Sequence, residues 1–357
     1  MKILYLAPGN SIHSKKWIEK IKTLHPENSY YWYSFEKYSY QVDESIKYFY
    51  CDSKFRLKFF KIIYFIFQIY KVNFKTRFDL IHIHSVGTYG LFSIIPILFK
   101  VPFIITPWGS DIIFGSQKFI NRIIIKFILS NANLITCDAI HIANLIKKIL
   151  PEAKPKIINF GIDASFFKEI NKIKLKNNLL KIISTRNHEN IYDLGTLIKA
   201  SKKLKDNNIN FALTIASEGS QTKILKKTVF ELGLSNQIKF IGRYQYENLP
   251  ELINNHDIYI STSLSDAGIA SSIAEAMACQ KIVIISDSGE NKSWISNSFN
   301  GFLFKSGSSQ SLYNSIIESI DYKNNWEKIG INARETILER NDINNEMNKM
   351  YQLMTSL

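Results

Sequence analysis

Cysteine is scarce. The 357 residues hold three, Cys51, Cys137 and Cys279, far apart and with no CxxC pair. An odd, sparse set builds no disulfide framework and fits a reducing compartment. Long apolar runs are missing as well: no stretch approaches the ~20 residues that a spanning helix needs. The opening Met1-Lys2-ILYLA is too short for a signal-peptide core and reads as a first strand. A cytoplasmic chain is expected. Acids are outnumbered, 31 against 45 Lys and Arg, for a net charge of +14. Glycines are few where a dinucleotide loop would need them. PGNSIHSKKW (8–17) carries one, so the G-x-G-x-x-G fingerprint is excluded.

What is present suits ordinary cores. The chain is 46% hydrophobic and 21% charged, and its length predicts two domains. Short β-branched runs alternate with amphipathic stretches: ILYLA (3–7), LIHIH (80–84), FIITP (103–107), NLITC (133–137) and KIINF (156–160). The rhythm pauses over the polar, basic 161–178. It then restarts with KIIST (181–185), FALTIA (211–216), IKFIG (238–242), DIYIST (257–262) and KIVIIS (281–286). Strands alternating with helices make parallel sheets with helices on both faces. The expected class is therefore α/β, two doubly wound units joined near 161–178. A last helical segment, about 327–354, is expected to cross back to the first unit. Ligands of such sheets sit beyond the strands' carboxyl ends. The candidate loops are thus Pro8–Ser14, His84–Gly87, Trp108–Asp111, Arg186–Tyr192, Ser217–Ser220 and Leu264–Ser272.

The surplus positive charge concentrates between Lys47 and Arg77. Eight Lys or Arg stand there against one acid, Asp52, with eleven aromatics interleaved. Read as one basic, aromatic helix, the stretch admits three partners. It packs its rings on a sheet and solvates its charges, or it lies on an anionic membrane, or it meets nucleic acid. The stripe is the only support for nucleic acid, and no such partner is expected.

The richest stretch is SDAGIASSIAEAMACQK (265–281). It reads as a loop entering a helix. Ser272 followed by Glu275 fits a capping box. Alternatively, the helix start offers its unpaired N–H groups to a phosphate. Ala270, Ser271 and Ser272 then allow close approach, and Glu275 accepts ribose hydroxyls. His82 and His84 share one strand face, but no third metal ligand accompanies them and core hydrogen bonding is the expectation. Ser217-Glu218-Gly219 reads as a turn near a nucleotide, and Glu290-Asn291 as a donor-sugar contact.

These pieces, in this order, resemble the retaining glycosyltransferases of family 4 (group 1). AEAMACQKIVIISDSGENKSWI resembles the family's nucleotide-sugar helix and the strand after it. GIDASFF (161–167), STRNHENIYDLGTLIKA (184–200), ASEGSQTKIL (216–225) and IKFIGRYQYENLPELINNHDIYISTSLSD (238–266) match further segments, while IHIHS and TPWGSDI match more loosely. The resemblance implies the GT-B fold, two facing Rossmann-like domains, over 1–165 (acceptor side) and 166–335 (nucleotide-sugar side), with 336–357 returning as a helix. It implies a nucleotide diphosphate sugar as co-substrate, no metal, and transfer of a hexosyl-type group with retention to a glycan or lipid-linked glycan. Surface polysaccharide, lipopolysaccharide or capsule synthesis at the inner membrane face is the setting it implies. Carried over by position, Arg186 contacts the diphosphate and Glu275 the ribose. Gly9, Asn10, Asn187, Glu218, Gly242, Arg243, Ser271 and Ser272 line the donor. His84, Trp108 and Asp111 face the acceptor.

Three positions depart from the family pattern. Ala267 stands where the first acid belongs, leaving Asp266 as its substitute. Tyr192 replaces a Lys beside the diphosphate, with protonated His188 as a stand-in. Trp108 replaces a His. A degenerate nucleotide-sugar-binding partner subunit and a nucleotide-sugar epimerase therefore remain alternative readings.

Overall fold

The computed structural model describes residues 1–52, 57–170, 179–266 and 268–357, leaving aside the side chain of Ser110. Two compact units emerge, one of Met1–Phe160 with Ile343–Leu357, the other of Gly161–Asp342.

In the first unit the strands are β1 (Lys2–Leu6), β2 (Ser29–Ser34), β3 (Lys47–Tyr50), β4 (Leu80–His84), β5 (Phe103–Thr106), β6 (Leu134–Cys137) and β7 (Lys156–Ile157). The helices are α1 (Ile12–Leu24), α2 (Lys58–Thr76), α3 (Ile94–Phe99), α4 (Ser110–Gly115), α5 (Phe119–Asn131) and α6 (Ile140–Ile149). Among the described residues the strands form one sheet in the order β3-β2-β1-β4-β5-β6-β7. Neighbouring strands pair in parallel, from Ile3 beside Leu80 to Cys137 beside Ile157. Strands covered on both faces are buried along their length, as in β4 and in β1 from Ile3 on.

In the second unit the strands are β8 (Leu180–Ser184), β9 (Phe211–Ala216), β10 (Ile238–Gly242), β11 (Ile258–Ser261), β12 (Ile282–Ser286) and β13 (Phe302–Phe304). Its helices are α7 (Leu194–Asp206), α8 (Thr222–Glu231), α9 (Leu249–Asn254), α10 (Ser271–Ala278), α11 (Asn291–Trp294), α12 (Ser309–Asp321) and α13 (Trp326–Arg340). The sheet order is β10-β9-β8-β11-β12-β13, again parallel. Both units are thus doubly wound Rossmann-like α/β layers.

Two differences from the sequence reading have physical causes. Lys47–Tyr50 is an edge strand, not the start of the basic helix. Its KYFY pairs in parallel with Tyr31–Ser34, and the helix begins only at Lys58. The part of the stretch at 53–56 lies outside the described residues. The single segment expected at 327–354 is two helices. α13 belongs to the second unit, and α14 (Ile343–Thr355) packs on α1 in the first. There the ring of Tyr351 stacks on His25 at 3.5 Å, and Met347 and Met350 join the core beside Trp17. The linker expected at 161–178 is described only as far as 170.

Candidate functional site

In the second unit the direction of winding reverses between β8 and β11. Loops leaving adjacent strands there turn opposite ways and open a crevice. Arg186 lies just past β8, and Asp266 lies in the loop after β11. Nη2 of Arg186 donates to Oδ1 of Asp266 at 2.7 Å, and Nη1 donates to Oγ of Ser272 at 3.3 Å. The guanidinium carbon sits 4.2 Å from the centroid of the Tyr192 ring, a cation–π stack. Nε is buried with no partner among the described residues.

The loop that carries Asp266 is tied down by short hydroxyls. Ser286 and Ser288 both donate to the carbonyl of Ser263, at 2.5 and 2.8 Å. The Leu264 amide donates to the Ile191 carbonyl at 2.8 Å, and the Thr262 hydroxyl donates to the Tyr192 carbonyl at 2.8 Å. These bonds fix the Tyr192 segment beneath the guanidinium. Asn291 donates to the Ser286 carbonyl at 2.9 Å and brings the same amide 3.5 Å from Asp266 Oδ2. Gly289, at φ 55°, presses so close that a Cβ would stand 1.9 Å from the Asp266 carbonyl oxygen. Only glycine fits this left-handed position and this approach.

Helix α10 starts at Ser271 with Ala270 as its N-cap, and no side chain caps it. The expected capping box is therefore not formed: Ser272 already lies inside the first turn, and its hydroxyl accepts from Arg186 instead. The amides of Ile273 and Ala274 both donate to the Ala270 carbonyl. Those of Ser271 and Ser272, earlier in the turn, have no intrahelical acceptor by geometry. Glu275 is 6% exposed. Burial, then Tyr259, then the charge of Glu275 push the Tyr244 phenol up to about 12. Burial and Glu275 likewise raise that of Tyr246. A carboxylate thus sits among phenols that stay protonated.

On the neighbouring rim, Arg243 pairs with Glu218 at 3.4 Å, both exposed. Gly242 at φ 70° brings its backbone against that same Glu218. Asn187 accepts from the Ser217 hydroxyl at 2.5 Å. His188 cannot stand in for a lysine. Its Nε2 donates to the Ala216 carbonyl at 3.2 Å, its Nδ1 meets Thr222 Oγ1 at 2.8 Å, and burial lowers its pKa. It is a neutral buttress between β9 and α8.

The first-unit candidates sit at the carboxyl ends of β1, β4 and β5. The Gly9 amide donates to Ser34 Oγ at 2.7 Å, and Asn10 is exposed beside it. Asp111 accepts from the amides of Val86, Trp108 and Ile112 at 2.7, 2.9 and 2.9 Å, so it shapes its own loop. Trp108 packs edge-on against Phe160 and tilts 5.2 Å from the His84 ring. His84 is fully buried and burial pushes its pKa down to about 3. His82 meets Thr106 Oγ1 at 2.7 Å. Among the described residues no group of three His, Cys, Asp or Glu is placed to hold a metal.

Of the residues read from sequence, the fold brings together Arg186, Asp266, Ser272 and Tyr192. Ala267 lies outside the described residues. Ser263, Ser286, Ser288 and Gly289 were not foreseen. The cue was available: Ser263 just past β11, and Ser286, Ser288 and Gly289 at and just past the end of β12, where backbone is held rather than a ligand.

Two parallel, doubly wound sheets, the second with Arg186 held past the strand ends at its switch point, define a two-unit Rossmann-like α/β protein, and comparison narrows the class. Residues 165–336 match the family model "Glycosyl transferases group 1" and residues 2–139 match "Glycosyl transferase 4-like". The chain belongs to the group 1 glycosyltransferases and has the GT-B fold. It is 26% identical over 317 residues to the uncharacterized glycosyltransferase MJ1069 of Methanocaldococcus jannaschii, covering 85% of this chain and 79% of that one. It is 27% identical over 170 residues to the amylovoran biosynthesis glycosyltransferase AmsK of Erwinia amylovora, covering 45% and 41%. Among solved structures, Anabaena HepE in complex with UDP superposes with a TM-score of 0.84 at 18% identity, over 100% of both chains. The lipopolysaccharide outer core galactosyltransferase WaaB superposes at 0.77 and 15%, also over 100% of both.

Proposed function

We propose that this chain moves a hexosyl group, with retention, from a nucleoside diphosphate sugar to a hydroxyl of a glycan or lipid-linked glycan in surface polysaccharide synthesis. The observation that carries the reading is Arg186, aimed with Ser272 and the start of α10 into one crevice. Charge develops on the diphosphate as the anomeric C–O bond breaks. A fixed guanidinium and helix N–H groups stabilise it there. The acceptor oxygen attacks from the face the diphosphate leaves, and its proton passes to the departing phosphate oxygen. Glu275 takes the ribose hydroxyls, and Asp266 orients Arg186. The relatives support the setting: HepE was solved with UDP and UDP-glucose, and AmsK and WaaB are named for polysaccharide and lipopolysaccharide work.

The test is release of nucleoside diphosphate from a panel of nucleotide sugars by the purified chain. Arg186→Lys keeps the charge but loses the fork, and is expected to lower kcat on the order of a hundredfold. No release and no binding across the panel overturns the reading. A second reading, a nucleotide-sugar-binding subunit without turnover, draws on the Asp266 carboxylate already seated on Arg186 and on Tyr192 in place of a cation. Tight binding with no release from any donor would select it.

A further inference from the structure

One face of the first unit's sheet is covered by α2, α3 and α5, which dock through Phe65, Ile69, Ile95, Ile125 and Ile128. A surface helix that has buried one stripe should show polar residues outward. These helices show large apolar side chains outward as well. On α2, Phe59, Phe67 and Phe74 are 67%, 49% and 70% exposed. On α5, Phe119, Ile120 and Ile123 are 78%, 70% and 55% exposed. Leu98 of α3 adds 65%. Single exposed apolar residues need no explanation, but a contiguous set does. The three helices adjoin: Tyr70 of α2 lies 5.2 Å from Phe99 of α3, and α5 leans on the turn at Tyr89–Ser93 that leads into α3.

Charge identifies the occupant. Between Asp52 and Asp138 the sequence has two acids, Asp79 and Asp111. Both are engaged elsewhere, accepting from the amides of Lys2 and Val86 at 2.7 Å, and neither lies on these three helices. Bases interleave with the exposed rings instead: Lys58, Lys71 and Lys75 on α2, Arg122 and Lys126 on α5. Lys71 Nζ sits 4.4 Å over the Phe67 ring, its stem along the apolar face and its charge at the edge. Nucleic acid would use the charge but not Ile120 and Ile123, and a protein partner's core is depleted of charge. An anionic bilayer uses both, with the apolar side chains at the acyl boundary and the ammonium groups among phosphates. No helix among the described residues is long and apolar enough to cross a membrane.

We propose that α2, α3 and α5 together form a lipid-facing surface that seats the first unit on an anionic membrane. This goes beyond the transfer reading and does not depend on it. The experiment is flotation of the purified full chain with phospholipid vesicles, zwitterionic alone or mixed with an anionic phospholipid. Binding is expected to the mixed vesicles and to fall with added salt. Phe59→Ser with Phe74→Ser on α2, and Phe119→Ser with Ile123→Ser on α5, should each weaken it on the order of tenfold. These exposed changes should leave Tm and nucleotide binding unchanged, which keeps a failure here separate from a failure at the donor crevice. Equal binding to zwitterionic vesicles overturns the proposal. So does an α5 pair that binds like the parent, or a vesicle-free dimer that the same substitutions dissolve.

Discussion

Arg186 and Asp266 stand 80 residues apart in the chain and 2.7 Å apart in space, with side chains only 9% and 6% exposed. The guanidinium is held in one plane by this carboxylate on one side and the Tyr192 ring on its face. A diphosphate entering the crevice therefore meets a cation that is oriented before it arrives, and already partly neutralised.

Removing the carboxylate alone should leave a buried cation unpaired. Asp266→Asn is expected to destabilise the second unit by about 3 kcal/mol, since breaking one partner of a buried pair costs more than the pair contributes. An added nucleoside diphosphate then supplies the missing anion. The rise in Tm on adding it should be larger in the variant than in the parent. Equal rises in a thermal-shift titration would separate Asp266 from the donor's phosphates.

Glu275→Gln keeps the shape and removes the charge. If the carboxylate accepts ribose hydroxyls, the affinity for a nucleoside diphosphate should fall on the order of tenfold, the value of a charge-assisted hydrogen bond. The Tyr244 phenol, pushed up in part by Glu275, should titrate closer to its ordinary value. Calorimetry reads the first effect and ultraviolet difference spectroscopy the second.

Gly289→Ala places a methyl group where the Asp266 carbonyl already stands, at a backbone angle of φ 55° that alanine resists. The loop after β11 has to move, and Asp266 with it. The expected outcome is a drop in kcat/KM of at least tenfold with a modest fall in Tm. A variant with parental kinetics would show that the loop's position does not matter to turnover.

Acid should destabilise the first unit through His82 and His84. Burial lowers both, His84 from 6.5 to about 3. The folded state keeps these rings neutral where the unfolded chain protonates them. The unfolded state then binds more protons, so stability is lost as pH falls below about 6.5. The urea midpoint should decline between about pH 6.5 and about pH 4, and His84→Leu should flatten part of that decline. A midpoint constant over this span in the parent would contradict the neutral assignment.

The sheets were readable because strands buried on both faces are rich in β-branched aliphatic residues, as Ile81 and Ile83 in LIHIH and the IVII of KIVIIS show. β2 and β3 were harder. SYYWYS and KYFY carry tyrosine and lysine at positions that face ring neighbours and solvent, so they lack that aliphatic signature. The start of α10 was legible, but its cap was not: the spacing of Ser272 and Glu275 permits a box, and Arg186, from another strand, claims the serine hydroxyl. His188 invited a cationic reading because a loop histidine shows nothing of its partners. Only the fold reveals Ala216 and Thr222 on its two nitrogens. Tyr192 read as a lost lysine, whereas its ring proves to be the seat of the guanidinium.

The hydroxyls of Ser286 and Ser288 on the Ser263 carbonyl have a consequence for how such a chain can change over time. They fix the loop during folding, so no ordering entropy is left for the donor to supply on each encounter. Their loss would strip two donors from a buried carbonyl, at a cost of about 1–3 kcal/mol, while the apolar strands beneath keep their own packing. Drift at these two serines would thus lower Tm modestly and loosen the loop that carries Asp266, so stability and the order of the crevice would decline together.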